Sequence, residues 1–197
     1  MKVLALELSS AIGGIAFCDQ GELREFRIFP ADRKDSGFFY QNLQEIYQAA
    51  APPDVLVVGL GPGSYAGVRI AIATALGLRA ATGAKLLGLP SIVAFDEAAY
   101  FVIGNARRGT FYFASVANGQ CLEGPTLGTA EEIRVKVQKS DRLPIFATEH
   151  LMEFDGISIE HPSALRLAEL ALRAKDFSEE PLQPIYLRAP YITTAKK

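Results

Sequence analysis

The order of strand-like and helix-like runs predicts a duplicated α/β chain, each half opening on a three-strand meander and continuing in alternating helices and strands. Three observations carry this. The first 30 residues hold three short β-type runs joined by tight turns, a second such set begins about 98 residues after the first, and each set leads into segments with helical apolar spacing. Two units of about 100 residues each lie near the lower edge of independent stability, so lobes sharing an interface are expected, not free domains.

Residues 2–9 read as the first strand, 14–19 as the second and 23–29 as the third, with turns at Ser10–Gly14 and Gln20-Gly21. Ser36 is a candidate N-cap for a helix in which Leu43, Ile46, Tyr47 and Ala50 recur at helical spacing until Pro52-Pro53 stops it. The unbroken apolar run Val55–Leu60 fits a strand covered on both faces. A long helix is expected over 66–82, a short strand over 85–88 and a helix over 91–99.

In the second half, 101–103 and 110–116 read as strands around an Asn105–Gly109 turn, and Asn118-Gly119 is a hairpin signal leading into a strand at 120–123. Thr129 with Glu132 forms a capping box for a helix ending near Lys139. Short strands follow at 143–147 and 157–159. Pro162 then suits the first turn of a last helix reaching Phe177. This order matches an actin-like (ASKHA, RNase-H-like) fold of duplicated βββαβα lobes with mixed sheets, divided as 1–100 and 101–197, with a cleft between the lobes. The final segment is expected to reach back onto the first lobe.

Composition narrows the chemistry. Of 197 residues 49% are hydrophobic and 21% charged, with a net charge of −2, which gives no global attraction to a polyanion. Arg107-Arg108 and Lys196-Lys197 are local exceptions, so any tRNA contact is expected to be indirect. No run approaches the ~20 apolar residues that span a bilayer, and Glu7 interrupts the N-terminal apolar run too early for a signal peptide. A cytoplasmic protein without membrane partners is expected. Cys18 and Cys121 lie in strand-like runs without CxxC spacing, which fits two reduced core thiols. His150 and His161 are eleven apart, not at the i, i+4 spacing of a helical metal site, so no metal of its own is expected. No Gly-Lys-Ser/Thr follows a glycine run.

The sharpest local feature is the loop-helix Gly61-Pro62-Gly63-Ser64-Tyr65-Ala66-Gly67-Val68-Arg69. Glycines ending a buried-type strand, with Ser64 placed to cap a helix, make either an anion-binding nest or a tight turn that binds nothing. Between Arg69 and Arg79 the helix carries no charge, and a helix without a polar stripe is buried all round. Gly67, Ala71 and Ala75 line one face, and Ala73, Gly77 and Ala80 another. One row packs on its own sheet. The other is covered by a partner's helix, by the second lobe, or by the aromatic helix with Phe38, Phe39 and Tyr40.

Residues 61–70, GPGSYAGVRI, resemble the GPGSFTGLRIG signature of the TsaB (also called YeaZ) family, whose members carry the older name of glycoprotease-like M22 peptidase homologues. Three more stretches agree in order: Leu4–Ser9 with LAIDTS, Asn105–Tyr112 with DARRGEVY, and Pro184–Arg188 with the closing P-x-YLR. Three positions depart. Glu7 stands for the usual Asp, the histidine before the first helix is absent with Asp35 nearby, and Asn105 stands for an acid.

The resemblance implies an actin-like fold and a non-catalytic subunit in synthesis of threonylcarbamoyladenosine in tRNA, at the adenosine beside the anticodon. Such a subunit pairs through its first lobe with a TsaD-type transferase, and a TsaE-type ATPase engages the pair. No catalytic residue and no cofactor of its own are expected, with ATP or ADP a ligand of the partner interface. Phe38, Phe39, Leu43, Tyr47, Gly67, Ile70, Ala71, Thr74, Ala75 and Leu78 are the candidate interface, which would form a homodimer in isolation. Arg69 fixes register, contacts phosphate or is simply solvated. The alternative is an actin-like ATPase or kinase with a nucleotide in the cleft near Glu7, Ser9, Asn105, Arg107 and Arg108.

Overall fold

The computed structural model describes residues 1–31, 36–138, 143–178 and 181–188; the positions Asp35, Lys139 and Lys196-Lys197 lie outside them. β1 (Lys2–Glu7), β2 (Ile12–Asp19) and β3 (Glu22–Pro30) form the meander, followed by α1 (Gly37–Ala49), β4 (Val55–Gly59), α2 (Tyr65–Thr82) and β5 (Lys85–Leu89). The sheet order is β3-β2-β1-β4-β5, antiparallel across the meander and parallel from β1 to β5. Ser36 precedes α1 but its side chain makes no capping bond.

The second half repeats this plan. β6 (Ala99–Asn105), β7 (Phe111–Ala117) and β8 (Gln120–Gly128) form a meander, then come α3 (Ala130–Gln138), β9 (Ile145–Ala147), β10 (Ile157–Ile159) and α4 (Ala164–Arg173). Its sheet, taken from the far edge, runs β8-β7-β6-β9-β10 with the same succession of two antiparallel and two parallel pairings. Duplicated actin-like lobes are therefore present in topology as well as in element order. The capping box closes as expected: Thr129 N–H donates to Glu132 at 2.7 Å, and Glu132 N–H to the Thr129 hydroxyl at 3.3 Å. β8 runs to Gly128 and tolerates Pro125 because it is an edge strand, where a missing N–H costs no ladder bond.

Strict alternation along the central strands gives each sheet two buried faces. On the first sheet Leu4, Leu6, Ile15, Leu56 and Val58 face α1 and α2, while Val3, Ala5, Ala16, Val55 and Val57 face Ala164, Leu167, Ala168 and Ala171 of α4. Each such Leu, Ile or Val contributes about 1.5–3 kcal/mol by leaving water. On the second sheet Phe101, Ile103, Phe111 and Phe113 pack with Ile133 of α3, and Tyr100, Val102, Ala114 and Val116 with Ile92, Val93 and Phe95.

Residues 91–99 differ from the expected helix. Only Ser91–Val93 make a turn of 3-10 helix, and β6 already begins at Ala99. Five consecutive residues, Ser91–Phe95, are buried, which no single helix face provides. The Tyr100 hydroxyl fixes this segment, donating to Ile92 O at 2.9 Å and accepting from Phe95 N at 3.3 Å. The last helix is also shorter than expected. Ser163 caps it, its hydroxyl accepting from Leu165 N, and Ala174 is extended, so Phe177 lies outside the helix, beneath the Lys85 ammonium. Of the two free thiols, Cys18 is buried and Cys121 is half-exposed, its Sγ reaching the Glu123 and Gly124 carbonyls at 3.3 Å.

Candidate functional site

The apolar run of β4 ends in the glycine loop, whose hydrogen bonds and close approaches fit a packing turn. The Ser64 side chain accepts from Gly67 N at 3.3 Å and caps α2. Two loop N–H groups are already spent, Gly61 on the Ser91 hydroxyl at 3.0 Å and Ser64 on the Ser9 carbonyl at 2.6 Å. A Cβ on Gly63 would run into the Ser9 carbonyl, and one on Gly67 into that of Leu8. The glycines bring α2 hard against the end of β1. This is a packing turn.

That contact settles the row Gly67, Ala71 and Ala75. Ala71 and Ala75 are fully enclosed, and Phe39 and Leu43 of α1 join them in the first-lobe core. Ala71, Ala75, Phe39 and Leu43 thus offer no surface to a partner, and Gly67, half-buried, is backed against the Leu8 carbonyl. Tyr47, Ile70, Thr74 and Leu78 are half-buried, and Phe38 is exposed. The open face of α2 is the other row: Ala73, Leu76, Gly77 and Ala80 are exposed, and a Cβ on Gly77 would meet nothing within 4 Å. At its N-terminal end Arg69 bonds the Tyr65 hydroxyl and lies 4.7 Å over that ring, which in turn packs at a tilt against Tyr186 with centroids 5.6 Å apart.

Glu7 is a second correction. It is 0% exposed and does not line the cleft. One carboxyl oxygen accepts from Ser9 N at 2.6 Å, and the other is buried without a hydrogen-bond partner. Burial pushes its pKa above the ordinary carboxylate value against the opposing pull of Ser9. Gly59 explains where the longer side chain goes, since a Cβ there would collide with Glu7 Oε2. Glu7 therefore cannot reach a ligand of the cleft.

Between the lobes lies a cavity of about 330 Å³, and Ser9, Ser64, Asn105, Arg107 and Tyr112 line it, while Arg108 is exposed outside it. The Asn105 side chain accepts from Arg107 N at 2.7 Å, and Arg107 and Arg108 take φ of +68° and +56° in the left-handed region. The sequence did not assign a wall to residues 185–188. Ile185 N donates to Leu60 O at 2.8 Å and Arg188 bonds the Thr110 hydroxyl, so this segment crosses from the first-lobe loop to the second-lobe turn. The sequence pointed to it only through the P-x-YLR stretch and the expectation that the final segment reaches back onto the first lobe. On the other side His161 Nδ1 lies 3.1 Å from the Ser10 hydroxyl, and burial lowers its pKa.

Among the described residues no three His, Cys, Asp or Glu side chains gather where they could hold a metal ion, and no helix is long and apolar enough to cross a membrane. The fold and site define a two-lobed actin-like α/β protein with a polar cleft and an open helix face beside it.

The family model described as TsaD, tRNA N6-adenosine threonylcarbamoyltransferase, matches residues 40–179. Two structures share the fold. YeaZ from Pseudomonas aeruginosa aligns at TM-score 0.70 with 19% identity over 94% of this chain and 99% of that one. An uncharacterised protein with similarity to peptidase YeaZ from Pseudomonas aeruginosa aligns at 0.75 with 20% identity, covering 95% and 99%. The chain belongs to this TsaD-related family, with the TsaB/YeaZ type of fold. An uncharacterised protein of Mycobacterium leprae is 29% identical over 142 residues, and one of Mycobacterium tuberculosis 32% over 143. Each match covers 70% of this chain, but only 38% and 65% of those relatives' own lengths.

Proposed function

We propose that this chain is a non-catalytic subunit in the synthesis of N6-threonylcarbamoyladenosine in tRNA, docking a TsaD-type transferase through the open face of α2. The observation that carries the reading is that face: Ala73, Leu76, Gly77 and Ala80 stand exposed on a helix without charge between Arg69 and Arg79. A surface of small and apolar side chains lets a second helix approach closely, and apolar patches of this kind mark interaction sites. Phe38, of the sequence-derived set, is exposed on α1. In isolation the same face would pair two copies of the chain.

A scaffold role accords with the buried Glu7, which leaves the cleft without the strand-end acid that the ATPase alternative needs. Contact with a TsaE-type ATPase and with tRNA would come through the assembly, with ATP or ADP at the partner interface, in the cytoplasm. A lobe boundary near residue 100 belongs to the same reading. The test is Gly77→Arg. Co-purification and calorimetry with the TsaD-type subunit should lose binding at least about tenfold, through a steric block at the centre of the interface. In a TsaB-depleted bacterium the variant should fail to restore the modified adenosine, read by mass spectrometry. Undiminished binding by a folded Gly77→Arg chain rejects this surface.

A further inference from the structure

Among the described residues three buried side-chain atoms lack a hydrogen-bond partner: Thr74 Oγ1, Arg166 Nε and Glu7 Oε2. Thr74 and Arg166 are half-buried residues, whereas Glu7 is wholly enclosed. A bare carboxylate oxygen in that position costs far more than an orphaned hydroxyl.

The links around Glu7 lead to the glycine loop from two sides. Oε1 accepts from Ser9 N at 2.6 Å, and the Ser9 carbonyl accepts from Ser64 N, also at 2.6 Å. On the other side Gly61 N donates to Ser91 Oγ at 3.0 Å, and Ser91 N to Gly61 O at 2.8 Å. A Cβ on Gly59 would run into Glu7 Oε2 and Ser91 Oγ alike, so the two oxygens crowd one point with no hydrogen bond between them. A proton on Oε2 supplies the missing bond, with Ser91 Oγ as acceptor, and leaves no buried charge. Burial favours that acid form, and among the described residues no charged group pulls against it. β2 sets Gly14 beside Glu7, and β4 sets Gly59 there. From α4, Ala164 and Leu167 pack on this face of the sheet, while Arg166 turns to Asp96 and Glu169. His161 reaches Ser10 instead. Ionisation strands a charge on Oε2, which water can meet only if the turn opens.

We propose that Glu7 is a proton-controlled latch, which in its acid form ties the Ser9 turn and Ser91 to the glycine loop and on ionising releases the N-terminus of α2. No docking partner is needed for this, and Gly77→Arg should leave it intact. The experiment follows amide exchange at Gly61 and Ser64 in the full chain by NMR as pH rises, with the intrinsic base-catalysed rate divided out. From 4.5 up to the folded value of Glu7, opening should become easier by about tenfold per pH unit. In Glu7→Gln, which keeps a donor beside Ser91, it should stay level. A carbon-13 titration of wild type labelled at the glutamate carboxyls should show one resonance, absent from Glu7→Gln, that ionises above all the others. Glu7 titrating among the other glutamates, or loop exchange running parallel in wild type and Glu7→Gln, would each overturn the latch.

Discussion

Along α2, Gly67, Ala71 and Ala75 repeat on one side, while Ala73, Gly77 and Ala80 repeat on another. The first row is closed against the end of β1, with Ala71 and Ala75 fully enclosed; the second is open, and a side chain on Gly77 would meet nothing. A row of small residues therefore records that another backbone can come near, and does not say which one. The neighbours of each row do. Val68 and Ile72 flank the closed row and share its core, whereas Tyr65, Arg69, Leu76 and Arg79 flank the open one and stay in solvent.

Substitution at matching places should separate the two faces. Ala71→Arg has the largest expected effect, a loss of about 3–5 kcal/mol from an overpacked core and an unpaired buried charge. Chemical denaturation or poor soluble yield would register it. Gly77→Arg should leave stability unchanged or raise it by up to about 1 kcal/mol, because glycine is a poor residue inside a helix. If both variants destabilise equally, the distinction between the faces fails.

Glu7 lies at the end of the strand on which the closed face rests. Its folded pKa is raised, so its contribution is full below the unfolded value of 4.5 and is lost as pH rises through the folded one. Glu7→Gln should therefore melt higher than wild type at neutral pH, with the gap closing as pH falls through the raised folded value towards 4.5. Melting curves that stay parallel across that range would contradict the burial argument. Ser64→Ala removes the cap common to both faces, and should cost about 1 kcal/mol without changing affinity for a partner.

Much of the fold was legible because buried strands write their pattern plainly. The meander runs, the Asn118-Gly119 turn and the Thr129–Glu132 box each have a local cause, and the structure keeps all three. The segment Ser91–Phe95 misled because its apolar residues are buried consecutively between other elements, which periodicity cannot distinguish from a short helix. Within the site, the loop glycines were visible but their purpose was not, since it depends on the carbonyls of Leu8 and Ser9. The burial of Glu7 against Gly59 joins residues on neighbouring strands. The cleft wall from Ile185 to Arg188 depends on contacts with Leu60 and Thr110 far earlier in the chain. No reading of local spacing contains those distances.

The packing of α4 across the first sheet has a consequence for how the chain comes into being. Strands β1, β2 and β4 leave the ribosome long before Ala164–Arg173, so the face formed by Val3, Ala5, Ala16, Val55 and Val57 waits uncovered through most of synthesis. Meanwhile Ile92, Val93 and Phe95, translated with the first half, are packed against strands that emerge after them. Each half thus carries the lid of the other, and neither reaches its finished core until translation has passed the last turn of α4.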